Sequence, residues 1–86
     1  EAKFVELPEG HTVMAVKVTD FLNDRTLREL DLRATAGLNV VGIRRSTPEG
    51  VERVSPEPNR KLVKGEVLLV VGDKVAIDSF TKAISM

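Results

Sequence analysis

One run of this 86-residue chain sets cations beside apolar surface: Leu27-Arg28-Glu29-Leu30-Asp31-Leu32-Arg33-Ala34. It alternates greasy and charged side chains beyond what packing one helix face requires. Asp31, Leu32 and Arg33 fall where the helical apolar spacing slips, so their side chains are expected to point outward. An arginine beside exposed leucines offers a guanidinium fork for a phosphate and apolar faces for a flat ring. The same residues also admit an ordinary solvated helix in which Glu29 and Arg33, four apart, form an ion pair worth roughly 0.2–0.5 kcal/mol.

Other chemistry is poorly supplied. The absence of cysteine excludes a disulfide framework, a thiolate metal site and a Cys nucleophile. The single histidine, His11, excludes a multi-His metal cage; it has no Ser or Asp partner nearby in sequence and reads as an exposed residue at the start of a strand. Gly-x-Ser-x-Gly is absent. Glu6, Glu9, Glu49, Glu52 and Glu57 are scattered and read as solvated surface. Gly37, Gly42, Gly65 and Gly72 form neither a dinucleotide fingerprint nor a phosphate loop, and read as a helix stop, close contacts or turns. The chain is therefore expected to be neither an enzyme nor the holder of a metal or cofactor.

Thirteen Lys+Arg balance thirteen Asp+Glu and 42% of residues are hydrophobic, a globular balance rather than that of a disordered tail or basic arm. Residues 1–43 carry five basic against seven acidic side chains, and residues 44–86 eight against six. That asymmetry is too slight for a phosphate-backbone footprint, and three Phe without Trp or Tyr make no stacking platform. Nucleic acid is not an expected partner. No apolar run approaches the roughly 18 residues that span a bilayer. A chain of this length is one small domain, hiding only about 60–65% of the surface its unfolded form exposes. It opens on Glu1 rather than Met, which leads us to expect a fragment: a binding or regulatory module of something larger.

The elements that must hold the 27–34 run can be read from pattern. Residues 1–10, polar around Phe4, Val5 and Leu7 and ending in Pro8-Glu9-Gly10, predict a lead-in segment and turn. Residues 11–19 predict a half-open strand with Met14, Val16 and Val18 on one face and Val13, Ala15 and Lys17 on the other. Thr26 and Glu29 stand at capping-box spacing before a helix carried by Leu27, Leu30 and Ala34, which Gly37 is placed to end. Leu32 lies off that stripe; it either faces a second surface or marks a change of direction between two short helical turns. Residues 38–43, apolar on both faces apart from Asn39 and Gly42, predict a central strand covered on both sides and ended by Arg44-Arg45.

Turn chemistry over residues 46–50 leads to a short returning strand, 51–54, which Pro56 and Pro58 confine to an edge. Residues 66–71 predict a second strongly apolar strand closed by Gly72. Asp73 then suits the N-cap of a last helix with Ile77, Phe80 and Ile84 on its apolar stripe. The order β-α-β-β-β-α predicts an α+β domain, a small mixed or antiparallel sheet with two helices packed against it. So small a core would leave Leu32, Val40 and part of the last helix uncovered in one chain. A twofold interface could bury them, which would support a dimer.

An ordered set of residues carries a family resemblance. Thr26-Leu27-x-Glu29-Leu30-x-Leu32-Arg33, then Gly37-Leu38-Asn39-Val40-Val41-Gly42-Ile43-Arg44-Arg45, is followed by Pro56, Pro58, Leu62 and Gly65-Glu66-x-Leu68-Leu69-Val70-Val71-Gly72. Together they resemble the C-terminal RCK domain, also called TrkA-C, of regulators of potassium channels and transporters. The resemblance spans roughly residues 5–84, making 1–86 a single such domain with 1–10 as its lead-in. Gly65-Glu66 departs from the more common Gly-Asp. The resemblance implies a homodimer that follows a Rossmann-like domain, in the cytoplasm at the inner face of the membrane. There it would pass ligand binding to a cation channel, transporter or cation–proton antiporter.

The likeness is greatest to the KtrA/CpaA-like subset, for which it implies cyclic di-AMP at the dimer interface. Carried over by position, Leu27 and its neighbour Arg28 would hold adenine, with Asp31-Leu32-Arg33-Ala34 and Asn39-Val40 completing the pocket and Pro56 in the loop that closes over it. Arg33 would meet a phosphate, while Asp31 and Asn39 would bond adenine edges. Arg28 stands where ligand-binding relatives are apolar; it either stacks on adenine as a planar cation or marks an altered site. The expected function is thus a ligand-sensing regulatory domain of ion transport. The alternatives are a dimerisation module without a small ligand, and a sensor of a divalent cation or an anion. Glu6, Glu9 and Asp20 stand in no cage spacing for a cation.

Overall fold

The stretch Val67–Asp73 alternates strictly, with Leu68, Val70 and Gly72 buried and Val67, Leu69 and Val71 half-buried on the other face. A strand with neighbours on both sides and helices on one face only has this pattern. In the computed structural model, which describes the backbone of residues 4–6 and the whole of residues 10–85, it is the middle strand. The order is β1 (Phe4–Glu6), β2 (His11–Lys17), α1 (Leu27–Leu30), α2 (Leu32–Ala36), β3 (Asn39–Thr47), β4 (Gly50–Val54), β5 (Val67–Asp73) and α3 (Lys74–Ile84). The strands form one five-stranded sheet among the described residues, β1-β2-β5-β3-β4, with every neighbouring pair antiparallel.

The α+β class read from the sequence is the observed one, with corrections. Part of the lead-in is strand: Phe4–Glu6 pairs with β2, while Pro8 and Glu9 of the expected turn lie outside the described residues. The single expected helix over residues 27–36 is two, so the order becomes β-β-α-α-β-β-β-α. β5 rather than β3 is central, and β3 is not covered on both faces. Its Val41 is 57% exposed, because a bulge between Val40 and Gly42 leaves it opposite no residue of β5. Nor do Arg44-Arg45 end β3. The strand runs on to Thr47 because the hairpin with β4 continues the ladder, pairing Arg44 with Arg53 and Arg45 with Glu52. As expected, β4 is an edge strand.

The core lies between one sheet face and the helices. Val16, Ile43, Leu68 and Val70 supply the strand side, and Leu32, Leu38, Ile77, Phe80 and Ile84 the helix side. The last three are the stripe read for the final helix. Leu32 is only 7% exposed, so one chain already covers it, contrary to the expectation that it needs a second subunit; Val40 is half-buried. Asp73 stands at the α3 N-cap with extended backbone, but its side chain makes no capping bond.

Gly72 is inside β5, not after it. A Cβ there would stand 2.4 Å from Leu38 Cδ2 and 3.1 Å from the Gly37 carbonyl oxygen, so its missing side chain lets the end of α2 seat on the sheet. Leu38 is 1% exposed, so moving its methyl aside disturbs the packing around it. Gly72→Ala should therefore cost about 1–3 kcal/mol, read as a lower urea midpoint at constant slope. An unchanged midpoint would show that Leu38 re-seats freely.

Candidate functional site

The expected capping box is present. The Glu29 N–H donates to Thr26 Oγ1 at 3.1 Å and the Thr26 N–H donates to Glu29 Oε1 at 2.9 Å. The Thr26 amide, and after it the Thr26 hydroxyl donating to Glu29 Oε1 at 3.2 Å, hold the Glu29 carboxyl below its ordinary range. Glu29 is therefore occupied at the helix start, and the Glu29–Arg33 pair does not form. Between the two helices Asp31 takes a left-handed backbone, φ 46° and ψ 54°, and its N–H donates to the Leu27 carbonyl at 2.9 Å. This break is the change of direction that Leu32's spacing allowed. It turns Leu32 into the core, not outward, while Asp31 and Arg33 stay exposed. Arg33 then reaches β3, donating Nε and Nη2 to Asn39 Oδ1 at 3.1 and 3.0 Å.

The second wall is the loop after β4. The Arg28 N–H donates to the Pro58 carbonyl at 2.9 Å, and Arg28 Nε donates to Asn59 Oδ1 at 2.7 Å. The Asp24 N–H donates to the Leu62 carbonyl at 2.7 Å, and the Leu62 N–H to the Arg25 carbonyl at 2.8 Å. Arg60 grips Glu66 two-fold, Nη1 on Oε1 and Nη2 on Oε2, and the Val63 N–H also donates to Glu66 Oε1. Glu66 is 3% exposed. The Arg60 bonds, against the opposing effect of burial, hold its carboxyl below the usual range.

Between these walls lies a cleft of about 490 Å³, within the range of small-molecule sites. It is lined by Leu27, Arg28, Asp31, Leu32, Arg33, Leu38, Asn39, Val40, Pro56 and Pro58. Of the nine residues the sequence singled out, eight are brought together. Ala34 is the exception: it is exposed and turned away, because the helix restarts at Leu32 and carries position 34 around. Leu38 and Pro58 were missed, though their places beside Asn39 and Pro56 could have flagged them. Asn59, which holds Arg28, lies 31 positions away and gave no signal in sequence.

Two guanidiniums and one carboxylate line the cleft, a net charge of +1. Both arginines are positioned by neutral amide oxygens, which orient them without cancelling their charge. The Asn39 amide nitrogen, its oxygen being taken by Arg33, is left as a donor. Among the described residues no three His, Cys, Asp or Glu are grouped to hold a metal. Asp20 pairs with Lys64 at 3.0 Å, while Glu9 and the Glu6 side chain lie outside the described residues. His11 is exposed at the start of β2. No helix among the described residues is long and apolar enough to cross a membrane.

The sequence pattern of the TrkA-C domain matches residues 11–85. The chain belongs to the TrkA-C family. This TrkA-C domain is 32% identical over 81 residues to the Ktr system potassium uptake protein C of Bacillus subtilis (strain 168), covering 94% of the chain but 35% of that protein. It thus spans about a third of the curated relative's length. Among solved structures it is similar to the RCK C domain of the potassium transport protein KtrA in complex with cyclic di-AMP, with TM-score 0.78, 29% identity, and 86% and 84% of the two chains covered. It is also similar to the GsuK RCK domain, with TM-score 0.70, 25% identity, and 90% and 17% covered.

The Glu66–Arg60 clasp makes the loop wall pH-sensitive in a defined direction. A carboxyl whose pKa is lowered on folding contributes stability above its unfolded value, ordinarily 4.5, and loses it as pH falls through the folded value. The domain should therefore weaken below about pH 4.5. Glu66→Gln should cost about 1.5–3 kcal/mol at pH 7 and flatten the acid slope, both read from urea midpoints at pH 7 and pH 3.5. An equally steep acid loss in the variant would assign the slope to other carboxylates.

Proposed function

We propose that this TrkA-C domain is a regulatory, ligand-sensing module of a potassium or other cation channel, transporter or antiporter, binding cyclic di-AMP where two copies meet. It works without catalysis or a bound cofactor. The observation that carries the proposal is the single cleft in which Arg28, Asp31, Arg33 and Asn39 meet the apolar walls of Leu27, Leu32, Val40 and Pro56. The similarity to the KtrA domain in its cyclic di-AMP complex supports it.

Charge supports it independently. Two clefts across a twofold axis would carry a net +2, from +1 each, against one negative charge on each of the ligand's two phosphodiesters. Arg33, pre-aimed by Asn39, would donate to a phosphate; the Asp31 carboxylate would accept from the adenine amino group, and the Asn39 amide would donate to a ring nitrogen. Leu27 and Pro56 would flank the ring, with Arg28 stacked as a planar cation. A symmetric dinucleotide on the axis would touch both copies alike, and it would bias the attached transporter only by favouring one arrangement of the pair over another. The machine it serves would lie in the membrane, with this domain on the cytoplasmic side.

Titration calorimetry with cyclic di-AMP should give micromolar or tighter binding at one ligand per two chains, and sedimentation should give a dimer. Arg33→Ala should lose about 1.5–3 kcal/mol, roughly ten- to hundredfold in affinity. A dimer with no binding heat would leave an assembly module without a small ligand. A monomer with and without the nucleotide would overturn the proposal entirely.

A further inference from the structure

The β3–β4 hairpin sets Arg44 directly opposite Arg53. Side chains so paired stand about 4.5–5.5 Å apart at Cβ, where like charges destabilise the sheet. The next couple along the hairpin, Arg45 and Glu52, is an ion pair and faces the other way. Arg44 and Arg53 are both exposed. Among the described residues no carboxylate, carbonyl or ring is paired with either of them. The same row of the sheet crosses β5 at Val67 and reaches Lys17 on β2, a third exposed cation, about 10 Å from Arg44 across two strand spacings. Among the described residues, three positive charges thus share one row with no acid in it.

Arg44 and Arg53 also line one cavity of about 350 Å³, with Ser55 and Gly42, the residue after the β3 bulge, in its wall. It shares only Pro56 with the Arg28–Arg33 cleft. We propose that Arg44 and Arg53 form an oxyanion clamp for a phosphate-class anion, free or carried on a small molecule, distinct from that cleft. Guanidinium forks match the oxygens of such an anion two at a time. An anion between them turns a repulsive pair into two charge-assisted contacts, and Lys17 adds field without contact.

The test follows thermal unfolding of the 86-residue chain at constant ionic strength, since exposed charges are screened by salt. Chloride is replaced in turn by inorganic phosphate, pyrophosphate and ATP. The unfolding midpoint should rise over chloride. A rise with inorganic phosphate identifies a free oxyanion as sufficient, and a rise confined to ATP identifies a carried one. Arg44→Gln and Arg53→Gln should each raise the midpoint in chloride by removing the repulsion, and weaken calorimetric anion affinity at least tenfold. Lys82→Gln, which removes an exposed charge on α3, should keep the full response. The clamp is overturned if no anion raises the midpoint, if both arginine variants respond as the parent does, or if Lys82→Gln loses the response equally.

Discussion

The reversal of backbone hand at Asp31 decides both where the core ends and where the cleft begins. A non-glycine residue held left-handed costs on the order of 1–3 kcal/mol, and it divides nine helical residues into pieces of four and five, each too short to stand alone. Burying Leu32 offsets that cost by about 1.5–3 kcal/mol, and the junction's backbone groups remain bonded. The Ala34 and Thr35 N–H groups donate to the Asp31 carbonyl at 3.0 and 2.9 Å, and the Thr35 hydroxyl donates to the Leu30 carbonyl. A continuous helix would have pointed Leu32 and Arg33 along a different arc, with Arg33 beside Glu29. The break separates them, one to the core and one to Asn39.

The arginines then sort by what holds them. Arg60 and Arg45 meet carboxylates, on Glu66 and Glu52, and act as fasteners of the loop and the hairpin. Arg25 lies over the Phe21 ring, 4.5 Å from its centroid, and donates to the Phe21 carbonyl. Arg28 and Arg33 meet only amide oxygens, so they are aimed but not neutralised, while Arg44 and Arg53 face each other. A chain with equal numbers of acidic and basic side chains thus keeps local positive charge where these arginines stand without a carboxylate partner among the described residues.

The cleft is tied to the middle of the sheet from both sides. The end of α2 rests on β5 through Leu38 against Gly72, and the loop wall is clasped by Glu66, the residue before β5. A ligand that drew the two walls together would load the same strand from both ends. That geometry suits a domain whose relatives belong to potassium transport systems, because a packed core transmits strain more readily than it absorbs it.

Local chemistry determined a good deal of this from the linear chain. The Thr26–Glu29 cap, the left-handed stop at Gly37 (φ 69°), the Ile77-Phe80-Ile84 stripe and the edge position of residues 51–54 all depend on neighbours within a few positions. Eight of the residues now lining the cleft were also legible: five in the run 27–34, whose pattern is local, and Asn39, Val40 and Pro56 through the family resemblance. Only tertiary structure decided which apolar strand is central, since β3 and β5 are both apolar and strand order depends on long-range pairing. Only it decided that Leu32 turns inward while Ala34 turns away, because a single φ of 46° at Asp31 re-phases every side chain after it. The partners of Arg28, Arg33 and Glu66 were likewise set in space, where residues distant in the chain become hydrogen-bonded neighbours.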